Sequence, residues 1–146
     1  MSIKSYSLLE LMVASVILGI LVALSVPAYQ NAQERSWDKE ATSILMLMRS
    51  AEIMYKMDRS VYYPATGSSK STSNSTDLDD INSKLRLSLT AYQAKWIYTI
   101  ANTGGTAATV SISAKRNRTS GTGRTWSLTV DSEIIGCSPG EGDSCL

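Results

Sequence analysis

One carboxylate interrupts a run of apolar residues long enough to cross a bilayer. Leu8 to Val26 holds about 19 residues, which at about 1.5 Å each spans a hydrocarbon core roughly 30 Å thick. Glu10 is the ionisable exception. On insertion scales such a side chain costs about 2.5–3.5 kcal/mol at mid-span, so it needs a reason, usually a partner. Its place near one end of the run lowers that cost without removing it. No Lys or Arg shares the span. A free amine made by cutting the chain just before Tyr6 would supply the missing positive charge. Ahead of the run stands a polar leader, Met1-Ser2-Ile3-Lys4-Ser5. Lys4 orients it, with the leader inside and the bulk of the chain outside. A secretory signal peptide would have a shorter apolar core followed by a small-x-small cleavage site, and Ser25-Val26-Pro27-Ala28 is a poor match.

The segment Ser5-Tyr6-Ser7-Leu8-Leu9-Glu10-Leu11-Met12-Val13 resembles the type IV prepilin signature. Counting from Tyr6, Glu10 is fifth, Gly19 fourteenth and Pro27 twenty-second, the spacings of that family, and Tyr29 follows the proline by two. Ser5 stands where the family has glycine, and Tyr6 where it has phenylalanine. The resemblance covers Lys4 to Gln30. It implies cleavage between Ser5 and Tyr6 by a prepilin peptidase, N-methylation of Tyr6, and growth of a filament through the helix, with Glu10, Gly19 and Pro27 serving assembly. The implied partners are further copies of the chain in a helical homopolymer, the inner-membrane assembly machinery and the peptidase. The implied path runs from the inner membrane to an extracellular fibre used in adhesion, motility or uptake. No cofactor is implied.

Beyond the span the pattern becomes one-sided. Trp37, Ala41, Ile44, Met48, Ala51 and Tyr55 recur at steps of four and three, one face of an α-helix, and Leu45 and Met54 widen the stripe. Arg35, Lys39, Glu40, Arg49, Glu52 and Lys56 fall on the other face. A helix of about 50 residues, from near Tyr6 to near Met57, is expected. Pro27 removes one of its hydrogen bonds and should kink it. Gly19 is a second weak point, of low helix propensity, or else a site of close helix packing.

After the helix, Tyr63-Pro64 fits an extended exit. The tract 66–77 is rich in Ser and Thr and should be a surface loop. Asp79 or Asp80 is placed to cap a short helix toward Leu85 and Leu87. Asn74-Ser75-Thr76 and Asn117-Arg118-Thr119 match the short N-glycosylation pattern. Strands are expected at Trp96 to Ala101, around Val110, Ile112 and Ala114, and around Trp126, Leu128 and Val130, each with one apolar face. The fold class is therefore α+β, a long kinked N-terminal helix packed on a small antiparallel sheet. The resemblance implies the same lollipop shape. The expected organisation is a leader at 1–5, an apolar half-helix at 6–27, an amphipathic half-helix at 28–57 and a head at 58–146.

Cys137 and Cys145 are the only cysteines, and outside the cytoplasm a disulfide closing a loop at 137–145 is expected. A loop this short gains roughly 2–3 kcal/mol in the chain-entropy model. A metal pair or a redox pair is the alternative, and the chain has neither a histidine nor a further cysteine to support one. Lys115, Arg116, Arg118 and Arg124 form a basic cluster, a candidate DNA or phosphate patch. Asp131, Glu133, Glu141 and Asp143 lie nearby in sequence and oppose it; their spacing matches no calcium loop. The net charge of +1, zero once Lys4 leaves with the leader, gives no general pull toward nucleic acid. No nucleophile–base pair and no paired catalytic carboxylates emerge, so the chain reads as a non-enzyme without a metal. A filament subunit is the leading expectation. A secretion pseudopilin, a DNA-uptake pilin and an anchored domain that never polymerises are the alternatives.

Overall fold

A computed structural model of the chain describes residues 8–90, 95–104, 110–117, 123–132, 134–140 and 145. Ser5, Tyr6 and Arg118, with Glu133, Glu141 and Asp143, lie outside these residues. The chain divides into two compact units, Met1–Ser36 and Trp37–Leu146. Helix α1, Leu8–Arg59, is a single helix of 52 residues that contributes to both. It continues through Gly19 and Pro27 without a break in its helical assignment.

In the first unit every side chain described between Leu8 and Val26 is exposed. In the second unit α1 buries Ala41, Leu45, Met48 and Ala51, the stripe expected from the spacing, with Ile44 and Tyr55 packed at its edge. Two residues depart from expectation. Met54, expected to widen the stripe, is 65% exposed, and Glu52, expected on the polar face, is fully buried. The helix stops at Arg59, where Ser60 turns left-handed (φ 61°) and its N–H closes on the Lys56 carbonyl at 2.7 Å.

A five-stranded antiparallel sheet covers that stripe. Its strands are β1 (Ser68–Ser71), β2 (Trp96–Asn102), β3 (Val110–Arg116), β4 (Thr125–Thr129) and β5 (Gly136–Ser138), neighbours in chain order. Alternation does the work in β2 and β3. Trp96, Tyr98 and Ile100, and Val110, Ile112 and Ala114, all face inward. The register stacks Ile100 beside Ile112 and Ile112 beside Leu128, so one apolar layer meets the helix.

The Ser/Thr tract is not the plain loop its composition suggests. Ser68–Ser71 pairs with Thr99–Asn102 as an edge strand, and Thr72 is buried with its hydroxyl accepting from the Tyr98 N–H at 3.0 Å. Backbone pairing needs no apolar side chain, so hydrophobic periodicity could not reveal it. The short helix also starts earlier than expected. Helix α2 runs Ser75–Leu85 and is capped by Asn74, whose side chain accepts from the Thr76 N–H at 3.0 Å. Asp80 instead accepts the Tyr63 hydroxyl at 2.8 Å. Asn74→Ala should therefore cost about 1 kcal/mol and lower the thermal midpoint, while Asp79→Ala leaves it unchanged. Melting curves followed by circular dichroism check both.

Candidate functional site

The site of interest in the first unit is the surface of the helix itself. An 18-residue window of α1 has a mean hydropathy of 2.5 and none of it is buried, enough length and apolarity to cross a membrane. The two hydroxyls in this stretch are satisfied locally. Ser15 donates to the Met12 carbonyl at 2.8 Å and Ser25 to the Val22 carbonyl at 3.1 Å. Neither therefore leaves an open donor on the apolar surface of the helix. Glu10 is the exception, an exposed carboxylate on an apolar cylinder with no Lys or Arg on the helix before Arg35. A methyl group built on Gly19 would meet nothing within 4 Å. Packing inside this chain does not demand glycine there.

The second unit carries two buried acidic residues at the ends of one stripe. Asp38, Ala41, Leu45, Met48 and Glu52 follow each other at steps of three and four, and all five are buried. Glu52 accepts the Tyr63 N–H at 3.1 Å through one oxygen. Burial pushes its carboxyl up to about 7, partly offset by that hydrogen bond. Asp38 accepts from the Trp126 indole at 3.3 Å and lies 3.0 Å from the Arg124 guanidinium. The shared spacing was visible in the sequence; treating acidic residues as outward-facing hid it.

The basic cluster is not assembled as one patch. Arg124 is only 2% exposed, held between Asp38 and the Trp96 ring, 5.9 Å from its centroid. Gly123 lets the chain pass close to β3, since a Cβ there would sit 2.5 Å from the Arg116 carbonyl oxygen. A surface phosphate cannot reach Arg124. Arg116 lies 5.1 Å from the centroid of Trp37, and Lys95 covers the same ring at 3.2 Å. Lys115 is exposed. Of the sequence-defined four, then, Lys115 and Arg116 remain near the surface, Arg124 does not, and Arg118 lies outside the described residues.

Cys137 on β5 is bonded to Cys145. The disulfide ties the C-terminal segment to the sheet edge, where Cys137 pairs with Trp126.

Curated proteins with related sequences give the site a context. The chain is 40% identical over 63 residues to a "Type II secretion system core protein G" of Pectobacterium carotovorum, covering 43% of this chain and 40% of that protein. It is 36% identical over 63 residues to the protein of that name in Escherichia coli K12, covering 43% of each. It is 33% identical over 75 residues to a "Fimbrial protein" of Neisseria meningitidis, covering 51% of this chain and 44% of that protein. The matches thus span about two fifths of those relatives' lengths. No family model matches, and no solved structure gives a significant match. With a fimbrial protein and secretion-system core proteins among its relatives, about half of the chain is similar to proteins of the type IV pilin family and to pseudopilins.

Proposed function

We propose that this chain is the structural subunit of a type IV pilus. The observation that carries the reading is the exposed apolar stretch of α1 with Glu10 set within it. Such a surface is stable in lipid or against other copies of itself, and unstable in water. The subunit waits in the inner membrane through Leu8–Val26. A prepilin peptidase cuts between Ser5 and Tyr6 and methylates the new amine. The apolar half-helices then leave lipid and pack together at the filament centre. Glu10 accepts the amine of a neighbouring Tyr6, a charge-assisted contact that sets register in an otherwise featureless bundle. Gly19 and Pro27 serve that assembly. Nothing in the reading requires a cofactor or a catalytic step.

The secretion pseudopilin is the second reading, favoured by the higher identity to the secretion core proteins. The longer matched stretch favours the pilus, as does the disulfide-closed C-terminal loop, a feature the family resemblance carries. Deleting the gene separates the two. Loss of surface fibres under the electron microscope, restored by complementation, supports the pilus. Intact fibres with loss of exported enzymes would instead assign the chain to a secretion machine.

A further inference from the structure

A groove of about 460 Å³ runs between α1 and the end of α2, within the second unit. On the α1 side Leu47, Ser50 and Met54 line it at steps of three and four, so it follows one face of the helix. Leu47 and Met54 are 52% and 65% exposed. Ser50 leaves room between them and donates its hydroxyl to the Met46 carbonyl at 3.0 Å, so it presents no open donor to the groove. The opposite wall is Leu87, packed on the core. That wall is fixed in place. Asn82 donates to the Leu89 carbonyl and accepts from the Leu89 N–H, both at 2.8 Å.

The rim of the groove is cationic. Arg59, Lys84 and Arg86 stand exposed on it against one acid, Asp58. Among the described residues none of the three cations has an ion-pair partner. Arg59 and Lys84 belong to the last turns of α1 and α2, where the helix dipole favours a cation. Arg86 stands there at a cost. It is the C-cap of α2, in the left-handed region (φ 54°), where glycine is preferred and a side chain is unfavourable. A guanidinium kept at such a position points to a use for it.

We propose that this groove docks an acidic amphipathic helix of a different protein. Contacts at i, i+3 and i+7 along α1 match a second helix laid beside it, and the small Ser50 lets the two backbones approach. From Leu47 to Asp58 the groove follows α1 for about 16 Å, roughly three turns. Carboxylates flanking the partner helix answer the three cations, and its apolar residues cover Leu47, Met54 and Leu87. The folded elements of this chain do not supply that helix. Among the described residues its acidic amphipathic helix is α2, whose apolar face, Ile81 and Leu85, is buried in its own head. The amphipathic half of α1 likewise buries its stripe under its own sheet. The groove is open to such a partner whether or not the chain polymerises.

Photo-cross-linking of the full-length chain in its own cells tests this. Met54→p-benzoylphenylalanine places a photoreactive ketone in the groove at an exposed position. After illumination the adduct is purified under denaturing conditions and the joined peptides are sequenced by mass spectrometry. The expected adduct joins position 54 to another protein, within a segment whose apolar residues recur at steps of three and four and are flanked by Asp or Glu. Lys84→Glu with Arg86→Glu should lower its yield about tenfold or more. Arg86→Gly should lower it too and leave the melting temperature equal or higher, since glycine relieves the left-handed cap. A captured segment without acidic flanks, an adduct to a second copy, an adduct to lipid or no adduct at all each overturns the proposal. So does an acidic adduct whose yield the charge reversal leaves unchanged.

Discussion

Glu10→Ala and Glu10→Val should insert in the membrane as the wild type does and fail to enter fibres. Insertion is spared because removing a carboxylate from an apolar span only lowers its transfer cost, by up to about 2.5–3.5 kcal/mol at mid-span. Assembly is lost because the amine of the neighbouring Tyr6 is left buried without its counter-charge. Breaking one side of a buried ion pair costs about 3–5 kcal/mol. At about 1.4 kcal/mol per tenfold, that corresponds to a fall of two orders of magnitude or more in incorporation. Glu10→Gln keeps an acceptor but not the charge and should fall between. The measurement is subunit content in sheared and membrane fractions by immunoblot. Normal fibre yield from the alanine or valine variant would contradict the role given to Glu10.

Glu52 should make the head less stable as pH rises through neutrality, and Glu52→Gln should remove that dependence. The carboxyl is fully buried, and burial raises its folded value to about 7, above the ordinary glutamate value of 4.5. The folded state therefore holds the proton more tightly than the unfolded chain. Its stabilising effect is complete below about pH 4.5 and is lost as pH rises through about 7. The shift corresponds to about 3 kcal/mol across that window. With no histidine in the chain, no other residue type ordinarily titrates near pH 6.5. Glutamine can still accept the Tyr63 N–H. Glu52→Gln should match or fall slightly below the wild type at pH 5 and exceed it by about 2 kcal/mol at pH 8. Thermal unfolding of the detergent-solubilised full chain from pH 5 to 8 checks this. Parallel pH profiles for the two proteins would count against it.

The helix and the inner strands could be read from the sequence because they are periodic. Ala41, Leu45, Met48 and Ala51 mark a helical face at steps near 3.6, and Val110, Ile112 and Ala114 mark a strand at steps of two. What escaped the sequence is what periodicity does not encode. Edge strand β1 is built from serines and a lysine whose backbone, not side chains, makes the pairing. Asn74 won the cap over Asp79 and Asp80 because α2 begins at Ser75, upstream of any apolar marker. Arg124 looked like one of four surface cations and is instead buried against Asp38, a partner 86 positions away that local spacing cannot reveal. Met54 and Glu52 traded places with respect to solvent. The turn at Tyr63 closes over Glu52 and leaves Met54 to the groove beside α2. Of the residues proposed to serve assembly, Glu10 and Gly19 stand out by chemistry alone, as a charge and a helix-weakening residue in an apolar span.

Mass spectrometry of the N-terminus of protein sheared from the cell surface tests the central claim most directly. The account predicts a chain that begins at N-methylated Tyr6, which would establish processing and export of the subunit together. A chain that retains Met1 to Ser5 and occurs only in the membrane fraction would contradict it, and would make this an anchored domain that never polymerises.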